Sequence, residues 1–219
     1  WPLPDNHAYL LFYWCLAVTL SLTLTPGDPR KTLSLNARLL IGLVFAFSVL
    51  WKLALSPDFM NGTFFGVTML ADPRFEGFTR VAGGLSAEGY DALRGFVLGG
   101  AVPYGAADVP EIPPRLAALS HFLTYWTIAI EGAVAVFFLL PARLAASKLR
   151  DYLLVIFCVT TYAVANVDGF GWLLLAMGAA QTGEGEGRGA KERNRVRLLY
   201  VAAFLLIIFY RYYTFSRLL

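Results

Sequence analysis

Glu131 stands near the middle of an otherwise apolar run, 15 residues after Leu116 and 10 before Pro141. A carboxylate at that depth in lipid is costly, and by default it serves ligand binding, proton transfer or a buried ion pair. Counting back 4, 7 and 11 residues reaches Thr127, Thr124 and Ser120, so a 3.6-residue period puts all four on one helix face. Such a polar stripe reads either as a hydrogen-bond seam between helices or as a site for a ligand, a proton or a quinone. In an earlier run Arg38 and Lys52 are 14 residues apart, nearly four turns, with Gly42, Phe45 and Val49 between them on the same side. Arg38 with Glu131 is the expected buried charge pair. Lys52 with Asn166 and Asp168 is the expected outer polar cluster. The competing readings are snorkelling to the headgroups for Lys52 and topology fixing for Arg38.

Other chemistry is thin. His7 and His121 are too few and too far apart for a histidine-built metal site, and no metal is expected. Cys15 and Cys158 both lie in apolar runs and are expected to be buried thiols. No nucleophile elbow, zincin, CxxC or Walker pattern occurs, and the glycine-rich stretch 183–189 follows no strand, so it reads as a flexible linker. Asp58 and Asp72-Pro73-Arg74 read as loop turns and surface charge, and Asn61-Gly62-Thr63 is a sequon of no diagnostic weight.

The elements that must position these residues are membrane helices. Of 219 residues, 58% are hydrophobic and only 15% charged, with a mean hydropathy of +0.59. That composition excludes a disordered chain, collagen, a coiled coil and a disulfide scaffold. Trp1 in the place of an initiator Met predicts a processed or truncated chain. The apolar runs 8–24, 35–55, 116–140 and 196–215 are each of spanning length. Between the second and third lies a 60-residue stretch, 56–115, rich in Gly, Pro and acidic residues; within it 61–70 and 86–98 are expected to be ordered. In the second of these Ser86 is a candidate N-cap, and Tyr90, Leu93 and Val97 share a stripe, either on the membrane surface or packed on the spans.

The run 151–181 is too long for one pass, because 31 residues of helix measure about 46 Å against a core of about 30 Å. Two glycines and two polar residues in 166–171 supply a turn at its midpoint, dividing it into helices over 152–165 and 170–180. The connections 25–37, 142–150 and 182–197 hold 2, 3 and 5 Lys or Arg. The positive-inside rule puts all three in the cytoplasm, which requires two passes between Asp151 and Gln181. The expected fold is an all-α polytopic membrane bundle of about six segments, with both termini and the loop 56–115 on the outer face. Five spans, one of them kinked, is the rival.

The run Arg38-Leu-Leu-Ile-Gly42-Leu-Val-Phe45, followed by Trp51-Lys52-Leu53, resembles the first helix of the DoxX/DoxD-like superfamily, with Val49 where that pattern has a second glycine. A more distant resemblance is to the horizontally transferred transmembrane family related to vitamin K-dependent carboxylase. The superfamily's four-helix core would map onto 35–181, including the outer loop 56–115. Residues 1–34 would then be an added span and linker, 182–197 a basic cytoplasmic linker and 198–219 a C-terminal span. The resemblance implies a bacterial inner-membrane protein, often a partner of redox systems, and no particular substrate.

Three functions are therefore weighed. The first is a non-catalytic or auxiliary subunit that docks on a larger redox or energy-converting membrane complex. The second is an oxidoreductase subunit binding a quinone or lipid beside Arg38, Lys52 and Glu131. The third is a small transporter. Lipids and other membrane subunits are the expected partners, and nucleic acid is not.

Overall fold

The computed structural model describes residues 6–24, 27–99, 112–165, 167, 169–183 and 189–215. All of its regular structure is helical, with no strand among the described residues. Ten α-helices follow in order: α1 Asn6–Thr23, α2 Pro29–Ala54, α3 Pro57–Met60, α4 Thr63–Ala71, α5 Glu76–Gly83, α6 Ala87–Gly99, α7 Pro114–Leu139, α8 Arg150–Val164, α9 Phe170–Gln181 and α10 Ala190–Phe215. Short 3-10 turns precede α5 and α8. Among the described residues α2 and α7, 26 residues each, are long and apolar enough to cross a membrane. The segment Ala8–Thr23 and helix α9 are apolar but shorter. Two of the six expected segments thus meet the length and composition of a span.

The chain forms two compact units, residues 1–48, 130–162 and 167–219 in one, and 49–129 with 163–166 in the other.

In the first unit, Ala37, Ile41 and Phe45 of α2 pack with Val134 and Phe138 of α7, Leu154 and Phe157 of α8, and Leu174, Leu175 and Met177 of α9. Phe45 meets Phe157 edge to face at 4.7 Å between ring centroids. The three-to-four-residue spacing of the α2 contacts is the apolar face of one helix. The expected break in 151–181 falls between Val164 and Phe170. Gly169 adopts φ +80, a conformation open to a residue without Cβ, and its carbonyl accepts the first bond of α9 from Leu173 N–H. Cys158 is buried, but Cys15 is exposed on α1. The expected burial of Cys15 fails because α1 buries little beyond Leu10 and Ser21. Helix α10 begins at Ala190, so the basic residues 191–197 form its first two turns instead of a linker. Ala, Lys, Glu and Arg are strong helix formers, and Glu192 in the first turn suits the positive helix end.

The second unit builds its own core from Phe59, Phe65, Met69, Leu70, Phe75, Tyr90, Leu93, Leu116 and Leu123. The stripe Tyr90, Leu93 and Val97 faces this core. Ser86 caps α6, its Oγ accepting Gly89 N–H at 3.1 Å. Asp72 accepts hydrogen bonds from Arg74 N–H and guanidinium, and those bonds hold its carboxyl below the usual carboxylate range.

Candidate functional site

The densest group of buried polar side chains lies in the first unit, where the start of α8, the end of α9 and the third turn of α10 converge. Arg150, Asp151, Gln181 and Thr182 are wholly inaccessible to solvent, and Tyr200 is 1% exposed. Asp151 Oδ1 accepts from Gln181 Nε2 at 2.5 Å and from the Tyr200 hydroxyl at 2.6 Å. Ser34 of α2 donates its hydroxyl to the Gln181 carbonyl at 2.7 Å, which ties a fourth helix to the group. Arg197 Nε donates to Thr182 Oγ1 at 3.0 Å, and the Thr182 hydroxyl in turn donates to the Ala179 carbonyl at 2.7 Å. At the edge of this region Lys148 and Glu192 form an exposed ion pair of 3.0 Å.

A buried carboxylate is tolerated when it is hydrogen-bonded and its charge is balanced. Asp151 has two neutral donors, and a buried cation, Arg150, is its neighbour in the chain. The cluster is closed to solvent, so its chemistry is structural: it locks one end of α8, α9, α10 and α2 together. Because Asp151 opens α8 and Gln181 closes α9, the bond between them makes α8 and α9 an antiparallel hairpin with residues 150 and 181 at the same end.

The other end of the hairpin has its own clasp. The Tyr162 hydroxyl donates to the Val167 carbonyl at 2.5 Å and accepts from Gly171 N–H at 3.2 Å. A Cβ on Gly171 would overlap the Tyr162 ring, and one on Gly178 would lie 2.6 Å from Tyr200 Cε1. Two tyrosines thus seat their rings on bare glycine backbone of α9.

The residues singled out from sequence are distributed as follows. Arg38 is half-buried next to the inaccessible Ala37, and Glu131 is 7% exposed between Ile130 and Val134. Both make polar or charged interactions. Ser120 and Thr124 are buried and donate to carbonyls of the α3–α4 region, Ser120 to Gly62 O and Thr124 to Phe59 O at 3.3 Å. Thr127 is half-buried. Lys52 sits 5.3 Å from the centroid of the Phe59 ring, within cation–π range. Asn166 and Asp168 lie outside the described residues.

The Asp151–Gln181–Tyr200 group escaped sequence reasoning. The signal was present in the arms of the apolar run: when 151–181 folds back on itself at its midpoint, its two polar ends must meet. Tyr200 carried no comparable signal, because aromatic residues are common in the last span.

Two shallow recesses flank the first turns of α10. One, about 300 Å³, is lined by Tyr152 and Arg195 with Val196, Leu198, Leu199 and Ala202. The other, about 200 Å³, brings Arg30, Arg193 and Arg197 together over Leu33 and the end of α9. Among the described residues no group of three His, Cys, Asp or Glu side chains has metal-binding geometry. No family model matches the chain, and no curated protein or solved structure matches it.

Proposed function

We propose that the chain is a multi-pass protein of a bacterial inner membrane that serves as an auxiliary subunit, docking on a larger redox or energy-converting complex. In this reading six segments cross or enter the bilayer, both termini and residues 56–115 face outward, and the basic connections face the cytoplasm. Arg38 and Glu131 pair inside the bundle. The DoxX-like pattern at Arg38–Phe45 and Trp51–Leu53 is consistent with it.

The observation that carries the reading is the contrast between α1 and α10 on one hand and the sealed polar cluster on the other. Phe12 at 64% exposure, Leu24 at 71%, Leu198 at 68% and Phe209 at 69% present apolar side chains outward, with Tyr9, Tyr13, Leu205 and Leu206 among their exposed neighbours. Water-facing surfaces seldom carry contiguous apolar patches of this kind; lipid and partner subunits cover them. Buried polar groups meanwhile spend their hydrogen bonds on neighbouring helices. The hairpin of α8 and α9 supports two passes in place of one kinked span, since it brings the basic ends at Arg150 and Arg197 to one side.

The test is purification of the full chain from native membranes in a mild detergent, with mass spectrometry of what accompanies it. The reading expects membrane-complex subunits in fixed stoichiometry, and a complex that loses activity when the chain is deleted. A chain that purifies alone, with deletion leaving every membrane redox activity intact, would contradict it.

A second reading, a subunit that binds a quinone or lipid, is favoured by the recess at Tyr152 and Arg195. Its lining combines Val196, Leu198, Leu199 and Ala202 with Tyr152 and Arg195, the mixture of apolar and polar residues that an amphiphile site needs. A quinone co-purifying with the chain, and lost in Tyr152→Phe, would support it.

A further inference from the structure

We infer that the recess formed by Arg30, Arg193 and Arg197 binds a phosphate group, and that the phosphate belongs to the headgroup of an anionic phospholipid. The inference deepens the membrane reading above and rests on it for the lipid.

Three arginines line this recess of about 200 Å³, Arg30 from the first turn of α2 and Arg193 and Arg197 from the first turns of α10. Guanidinium forks match phosphate oxygens two at a time, and the positive ends of two helix dipoles add to their field. Arg197 is set in place before any ligand arrives: its Nε is bonded to Thr182 Oγ1 at 3.0 Å, and Thr182 is wholly buried. Among the described residues no hydrogen bond or ion pair engages the Arg30 guanidinium, whereas its backbone N–H bonds Asp28 Oδ1 at 2.9 Å.

What favours a lipid over a free ion is the rest of the lining. Leu33, Ala179 and Ala180 form an apolar side to the recess, suited to the glycerol and first methylenes of a lipid and useless to inorganic phosphate. Further along the same side of α10, the exposed Val201 and Ile208 offer acyl chains a surface.

The test uses the full chain in neutral detergent and in vesicles of phosphatidylcholine with or without phosphatidylglycerol, with bound lipid counted by native mass spectrometry. Phosphatidylglycerol is expected to be retained over phosphatidylcholine. Arg30→Gln and Arg193→Gln are each expected to weaken that retention about tenfold, the loss of one charge-assisted hydrogen bond. Lys31→Gln and Lys191→Gln, neighbouring charges outside the recess, serve as controls and leave retention within about twofold. Inorganic phosphate is the third arm. If it displaces the lipid and binds with the same arginine dependence, the phosphate site stands and the lipid assignment falls. Equal retention of both lipids, or equal effects of the lysine and arginine changes, overturns the site. Alkaline carbonate extraction reports separately on the membrane reading, because release from membranes would sink that reading without touching the inorganic-phosphate arm.

Discussion

The Tyr200 hydroxyl donates to Asp151 Oδ1 at 2.6 Å across 49 residues of chain, in a place that solvent does not reach. That bond joins α10 to α8 at the point where Gln181 joins α9 to α8. A single carboxylate oxygen at the start of α8 therefore holds both the end of α9 and the third turn of α10. Interhelical hydrogen bonds in lipid are each modest, about 0.6 kcal/mol on average and up to about 2 kcal/mol. The charge raises the stakes, since Asp151 lies beside the buried Arg150 and leaving a buried charge uncompensated costs about 3–5 kcal/mol.

The first prediction follows from that asymmetry. Tyr200→Phe should lower stability by about 1 kcal/mol, and Asp151→Leu, which removes the anion beside the buried Arg150, by about 3–5 kcal/mol. The double change Arg150→Met with Asp151→Leu should be milder than the sum of the two single changes. Denaturant-induced unfolding in detergent, followed by circular dichroism, measures all four, and additive effects would show that the charges act independently.

The second concerns the glycines of α9. Gly171→Ala should destabilise by about 1–3 kcal/mol, as overpacking does, because its Cβ meets the Tyr162 ring. Adding Tyr162→Leu should recover part of the loss in spite of the missing hydrogen bonds to Val167 and Gly171. Gly132→Ala on α7, where a Cβ meets nothing within 4 Å, should cost nothing measurable. Thermal inactivation midpoints of the purified variants give the comparison.

Much of this architecture was readable before the structure. The bounds of α7, the two halves of 151–181 and the turn between them follow from apolar run length and glycine placement, which are local signals. The Ser86 cap and the Tyr90 stripe were legible for the same reason. Long-range pairing was not. Ser120 and Thr124 share a helix face as the period requires, but their partners are carbonyls at Gly62 and Phe59, and backbone acceptors leave no trace in residue identity. The Lys52 ammonium lies over the Phe59 ring, a contact that residue spacing does not announce; Asn166 and Asp168, grouped with Lys52 from the sequence, lie outside the described residues. The helical start of α10 was missed because charge density was read as linker, while Ala190–Arg193 are strong helix formers.

A third prediction concerns alkaline pH and the second unit. Burial pushes the Tyr90 phenol above its ordinary value near 10, and its hydroxyl bonds the Leu70 carbonyl at 3.3 Å. The folded state therefore keeps this proton to higher pH than the unfolded state does. Its contribution to stability is complete below about pH 10 and is lost as pH rises through the folded value. Wild type should thus lose stability above pH 10 more steeply than Tyr90→Phe, and unfolding midpoints across that range should converge. Parallel curves would show that Tyr90 titrates alike in both states.

At acid pH the Asp72–Arg74 pair behaves in the opposite sense. Arg74 lowers the Asp72 value, so the pair's support is present above the ordinary carboxylate range near 4 and fades as pH falls through the lowered folded value. The pair is partly exposed, so Asp72→Asn should cost under about 1 kcal/mol at neutral pH and nothing in strong acid. Unfolding midpoints at the two pH values decide it.

A fourth prediction addresses Arg38 and Glu131. Glu131→Gln and Arg38→Leu should each destabilise the chain in detergent, and the double variant should be less affected than their sum if the two neutralise each other. Strict additivity would assign each residue a separate partner.

The account turns on where the two ends of the α8–α9 hairpin lie relative to the bilayer. In a Cys15→Ser, Cys158→Ser background, single cysteines at Arg143, Gly187 and Gly77 can be challenged with a membrane-impermeant maleimide in intact and permeabilised cells. The account predicts that Gly77→Cys reacts in intact cells, whereas Arg143→Cys and Gly187→Cys both react only after permeabilisation. Labelling of Arg143→Cys and Gly187→Cys from opposite sides would contradict it.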